Sequence, residues 1–190
     1  LNLVTRPPKN KGLVCAHFTS VNQALIANTI ALKHPARAVE LMDHIILDAS
    51  KNNREQQKNR FFVKGSPKAI LLIELAHDDE QLLMEQARKL IADLKQNELG
   101  YHYPLLLNQD TKKAWNLRKA GLGIMANIPG DKKPVTVIED TAVHTDALPA
   151  YIDEFSKIME KYGEECVYHA HAGTGEIHLR PRLDLKQPND

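Results

Sequence analysis

Cysteine is scarce, aromatic residues make up only 5% of the chain, and neither sign of charge prevails, with 25 basic side chains against 24 acidic ones and a net charge of +1. Each shortage excludes something. A balanced chain offers no broad positive face for the phosphates of a nucleic acid or for an anionic membrane. Cys15 and Cys166 are the only cysteines, both within short apolar runs. They cannot build a disulfide framework or a site of four thiolates, and reduced, buried thiols in the cytoplasm are the expectation. No apolar run approaches the ~18 residues of a membrane helix, and the amino-terminal LNLVTRPPKNKG lacks the basic-then-apolar build of a signal peptide. No glycine-rich loop opens a helix in the way that cradles a dinucleotide phosphate.

The 190 residues suit one domain with a real core. Gly12 to Ser20 is apolar and bounded by turn residues, as a strand is, and Val21 to Lys33 supplies a helix ended by Pro35. A second strand is expected over Arg37 to Leu41, with a short helix through Ile45, Ile46 and Leu47 behind it. Lys51 to Arg60 contains no apolar residue and reads as an exposed loop or lid. Regularity returns with a strand at Ala69 to Leu75 and a helix over Asp78 to Gln96, where Leu83, Ala87, Leu90, Ile91 and Leu94 form one stripe. Tyr101 to Leu107 supplies the next strand.

Strand-helix-strand twice over is the order of an α+β ferredoxin-like plait, an antiparallel sheet with its helices on one face. Beyond it lie a helix around Thr111 to Ala120, a loop from Gly121 to Pro134, and a strand at Val135 to Glu139. A helix striped by Leu148, Tyr151, Ile152, Phe155 and Ile158 follows, with Thr145 placed to cap it and Gly163 to stop it.

The chain then reads HAHAGTGEIHLRP, which gathers His169, His171 and His178 around Gly173 and Gly175. A hairpin with its two-residue loop at Thr174-Gly175 pairs His171 with His178 and His169 with Arg180, all on one face of the ladder. Opposed Cβ atoms lie ~5 Å apart, so both imidazoles can reach one cation. A stable site needs a third ligand, for which Glu139, Asp140 and His144 are candidates; the alternative is an ordinary hairpin with half-exposed histidines.

HAGTGEIH resembles the HAGDGNLH segment in the C-terminal domain of FAD-linked oxidases, the group containing glycolate oxidase subunits and D-lactate and D-2-hydroxyglutarate dehydrogenases. AVELMDHIIL, GSPKAILLIEL, AWNLRKAGLG and KPVTVIEDTAV resemble further segments of that domain in the same order, and HLRPRLDLK resembles members fused to an iron–sulfur module. Thr174 and Glu176 stand where the family has Asp and Asn, and His144 where a proline is common.

The resemblance implies a fragment of a larger flavoprotein, a single substrate or cap domain over residues 1–190 with 1–11 as the exit from an FAD-binding domain. It implies FAD held mainly by that other domain and a divalent metal, zinc among the options, on His171 and His178. Arg118 would grip the carboxylate of a 2-hydroxy acid, the base would lie beyond residue 190, and the fragment alone would not turn over. An iron–sulfur partner, a quinone or a cytochrome could accept the electrons, and an oligomer is compatible with all of this. Two other readings of the residues stay open: a metal-dependent hydrolase using the His171/His178 hairpin, and a ligand-binding or regulatory module on a ferredoxin-like plait.

Overall fold

The computed structural model describes residues 6–188. The first part of the expected exit segment, residues 1–5, lies outside the described residues, while its end is already sheet, because β1 spans Asn10–Phe18. There follow α1 (Val21–Ala31), β2 (Ala36–Asp43), α2 (His44–Ala49), α3 (Arg54–Gln57), β3 (Ala69–His77), α4 (Glu80–Gln96) and β4 (Leu105–Leu107). The second part of the chain adds α5 (Gln109–Ala126), β5 (Lys133–Pro134), β6 (Ile138–Ala142), α6 (Leu148–Tyr162), β7 (Cys166–His171) and β8 (Glu176–Leu183).

The strands join antiparallel in the order β4-β1-β3-β2-β7-β8-β5, with β6 also paired to β8. The first four positions are the expected plait, and the β7–β8 hairpin extends it from the free edge of β2. Alternation along the central strands sorts the core. Val14, Leu41, Leu71 and Ile73 turn to one face, under Leu25 of α1, Leu83 and Leu90 of α4, and Leu148 of α6. Leu13, Cys15, Met42 and Leu72 turn to the other, under Leu47 of α2 and Leu117 of α5. Helices α1 and α4 of the plait thus share one face as expected, joined there by α6, while α2 and α5 cover the opposite one.

Local chemistry sets the helix limits. Ser20 caps α1 by accepting from the Gln23 N–H, and Asp79 caps α4 by accepting from Gln81 and Leu82. Gly163 closes α6 in the left-handed conformation at φ 70°. Some sequence expectations fail here. Thr145 does not cap α6: it opens a 3-10 turn capped by the His144 ring, and Pro149 in the first turn of α6 sets the later start. The strand expected from Tyr101 is reduced to Leu105–Leu107 plus a bridge from His102 to His17. Residues 51–60 are short helical turns, anchored by Arg60, which donates to the Leu47 carbonyl and the Ser50 hydroxyl. Helix α5 runs past Gly121 to Ala126 and lies at that point on Ile46 and His169, where a Cβ would meet them at 3.4 and 3.6 Å, ordinary contact distances.

The join between plait and hairpin has a short ladder, Leu41 opposite Ala170 and Met42 opposite His169. Buried polar side chains supplement it along β7. Asp43 accepts from the Tyr168 N–H at 2.9 Å, Arg118 donates to the Ala170 carbonyl at 3.1 Å, and Asn28 donates to the Ala172 carbonyl at 2.8 Å. The Tyr168 N–H and the Ala172 carbonyl lie beyond the two paired positions, while the Ala170 carbonyl takes the Arg118 bond within them.

Asp43 also accepts from the Ile46 N–H at 3.2 Å, capping α2. Its complete burial outweighs these bonds and pushes its pKa from 3.8 up to about 7. Between those values the folded protein holds a proton that the unfolded chain has released. This contribution to stability is fully present below pH 3.8 and is lost as the pH rises through about 7. Urea unfolding across that window should show the stability difference between the unsubstituted protein and Asp43→Asn shrinking by up to ~1.4 kcal/mol per pH unit as the pH rises. A difference independent of pH would contradict this account of Asp43.

Candidate functional site

The β7–β8 hairpin is not registered as its sequence predicts. His169 lies opposite His178 and His171 opposite Glu176, and a 3-10 turn over Ala172–Thr174, closed by Gly175, replaces the expected two-residue loop. The reason is steric: Gly175 sits at φ 81°, and a Cβ there would fall 2.0 Å from the Val143 carbonyl oxygen, so the glycine ends the turn against the chain after β6. The slip is of two residues, and an even slip keeps every side chain on its face. His169, His171, His178 and Arg180 therefore still share one side, the side crossed by α5.

On that side the rings of His171 and His178 have centroids 5.5 Å apart, and those of His169 and His178 5.9 Å apart. Beside β7, Glu40 of β2 reaches across: the His171 Nδ1 lies 3.1 Å from its Oε1 and 3.0 Å from its Oε2. Arg118, buried on α5, donates through Nη2 to the same carboxylate, while its Nε has no hydrogen-bond partner among the described residues. Burial lowers the Arg118 pKa and the Glu40 charge opposes that shift. Arg180 forks onto Glu139 at 2.7 and 3.2 Å.

His178 Nδ1 lies 3.0 Å from Glu139 Oε2 and 3.1 Å from Asp140 Oδ1, in ionic reach but not aligned for a hydrogen bond. Asp140 is held at φ 54° within the irregularity of β6 between Ile138 and Thr141, which re-aims the strand end at the hairpin. The other edge of the His178 ring, Nε2, is 3.9 Å from Glu176 Oε1.

Among the described residues, two sets of side chains could hold a metal: His171, Glu176 and His178, and Glu139, Asp140 and His178, each with its ligand atoms within 4.8 Å of one another. The first fits a borderline cation better, since it offers two imidazoles and a carboxylate, and Glu40 leaves the Nε2 edge of His171 free. His169 is unsuited to bind protons here: burial, then Arg118, His178 and Arg180, hold its pKa down at about 2, and its Nε2 has no partner among the described residues.

The sequence-predicted residues thus divide. His171, His178 and Arg118 are brought together, and Glu139 and Asp140 face His178. His144 is not at the site; it is exposed, and its ring serves the Asp146 N–H in the turn before α6. Glu40 and Glu176 were missed as members. A lone acid inside the apolar run of β2 was the available signal for Glu40, and none was available for Glu176, which the expected register does not place opposite His171. A cleft of about 440 Å³ opens beside them, lined in part by Arg37, Glu40, His171, Gly173, Thr174 and Glu176.

The site thus gathers histidines, arginines and carboxylates on one face of an antiparallel α+β domain. The family model described as "FAD linked oxidases, C-terminal domain" matches residues 7–190, and the chain belongs to that family. The D-2-hydroxyglutarate dehydrogenase of Escherichia coli (strain K12) is 27% identical over 97% of the chain, and that of Pantoea ananatis (strain AJ13355) 28% over 98%. In both cases the match spans 19% of the relative, so the chain covers about a fifth of these proteins' length. Among solved structures, 4-ethylphenol oxidase from Gulosibacter chungangensis superposes with a TM-score of 0.61 at 12% identity, covering 97% of this chain and 42% of that one. An alkyldihydroxyacetonephosphate synthase gives 0.60 at 9% identity, covering 96% and 38%. These two show the fold. No helix among the described residues is long and apolar enough to cross a membrane.

Proposed function

We propose that this domain is the substrate-side wall of the flavin site in a larger FAD-dependent dehydrogenase that oxidises a 2-hydroxy acid to a 2-oxo acid. The observation that carries the reading is the convergence of His171 and His178 beside a buried Arg118 on one face, in a chain of the FAD-linked oxidase family. The relatives named as D-2-hydroxyglutarate dehydrogenases make that acid the first to try.

Bound FAD, held mainly by another domain of the polypeptide, would accept the hydride from the carbon bearing the hydroxyl. A divalent cation, zinc by the chemistry of the donors, would polarise that hydroxyl, with His171, His178 and Glu176 holding it. Arg118 pairs with the substrate carboxylate through the guanidinium nitrogens that Glu40 and the Ala170 carbonyl do not take, and so fixes which face of the substrate is presented. Glu139 and Asp140 steady the far edge of His178. We assign the base to no residue of this chain. The electron acceptor is proposed to be an iron–sulfur module or another carrier outside residues 1–190, and the buried Cys15 and Cys166 support a reducing, cytoplasmic setting.

The test is the visible spectrum of the full-length protein under anaerobic conditions. A flavin spectrum that bleaches on addition of a 2-hydroxy acid is expected. A protein without flavin, or one whose flavin no 2-hydroxy acid reduces, would sink the reading.

A further inference from the structure

We infer that Glu40 is a positioning residue that couples the two halves of the site, orienting His171 for metal and Arg118 for substrate through one carboxylate. The inference rests on the proposed function and adds to it. Glu40 stands in the middle of β2, where Val39 and Leu41 on either side turn into the core. A charge in such a strand is costly unless fully paired. Its side chain is only 14% exposed, and both oxygens are engaged: Oε1 accepts from His171 Nδ1 at 3.1 Å, and Oε2 accepts from Arg118 Nη2.

Two consequences follow from that geometry. A proton held on Nδ1 by Glu40 leaves the lone pair of His171 on Nε2, the edge available to a cation, and makes the ring a better donor to it. The same carboxylate pins one nitrogen of Arg118 while the Ala170 carbonyl takes a second bond from it at 3.1 Å, so the guanidinium is held in one orientation with its Nε still unpaired. An ion pair of purely structural use would not need the histidine and would not leave the buried Nε of Arg118 without a partner.

Glu40→Gln is close in shape but cannot accept from both partners with equal oxygens, because one position becomes an NH₂ that opposes an N–H donor. The experiment is calorimetric titration of zinc into the full-length flavoprotein after chelator treatment, with the flavin spectrum and the thermal midpoint recorded for each variant. Zinc binding ~10- to 100-fold weaker in Glu40→Gln, with flavin retained, is expected. Unchanged zinc affinity in that variant overturns the inference. Should Glu40→Gln fail to fold, Glu40→Asp replaces it: the charge for Arg118 is kept but the carboxylate is one methylene shorter. Weakened zinc binding then supports the inference, and unchanged binding overturns it. His178→Ala separates the two levels of the argument. Zinc binding that ignores His178→Ala removes the metal site of the proposed function and Glu40's role with it. Binding that is lost in His178→Ala but intact in the Glu40 variants removes only the role of Glu40.

Discussion

Replacing Arg118 with alanine in the full-length protein should raise the KM for the proposed 2-hydroxy acid by about 30- to 4000-fold, with a smaller effect on kcat. The range follows from truncating one partner of a desolvated charge pair, ~2–5 kcal/mol, at 1.4 kcal/mol per decade. The pattern of a raised KM identifies binding shared by ground and transition states, which is what a carboxylate anchor provides. A second effect must be kept apart from the first. Arg118 is buried against Glu40, and deleting it strands that carboxylate, a change that costs ~3–5 kcal/mol of stability. Arg118→Lys separates them: the ammonium keeps the charge beside Glu40 but cannot fork onto a carboxylate, so stability should largely return while KM does not. Normal KM in a folded Arg118→Ala protein would show that the guanidinium serves the join between β2 and β7 and nothing more.

Loss of either ring of the histidine pair should be as damaging as loss of both. His178→Ala is expected to lower kcat by ~1000-fold, the several kcal/mol that a polarising cation supplies, while the flavin spectrum stays intact. His171→Ala should do the same. Because one cation would need both imidazoles, the double variant should fall no further than either single one. Steady-state turnover of the three proteins, each loaded with flavin, decides the matter. Losses that multiply in the double variant would mean that the rings act independently, and a loss under tenfold in either single variant would remove the metal from the reaction.

Much of this architecture was readable from the pattern of residues. The stripe from Leu83 to Leu94 fixes the buried side of α4, and the apolar run of β3 marks a central strand, because period and burial are local properties. The face shared by His171 and His178 was equally legible, since alternation in a hairpin survives an even slip. Their cross-strand partners were not. Both Gly173 and Gly175 could end the turn, and the choice is made by the Val143 carbonyl, some thirty residues upstream. Helix α5 runs through Gly121 because its neighbouring turns pack on the sheet through Ala114 and Leu117, a tertiary preference that outweighs propensity. Glu40, which stands within AVELMDHIIL, received no role at the site for a related reason: its partners lie 78 and 131 residues away, and no local pattern connects them.

The short ladder between β2 and β7 gives the site a particular place in the history of each molecule. The plait can collapse on neighbouring contacts, while the hairpin arrives from far along the chain and pays more loop-closure entropy to dock. Glu40 and Arg118 meet His171 only after that docking. The candidate site is therefore assembled only where the hairpin seats Ala170, Ile177 and Leu179 in the same core as Leu41 and Leu71, so whatever loosens that seam also disperses the site. Competence in this domain measures one seam rather than the soundness of the whole.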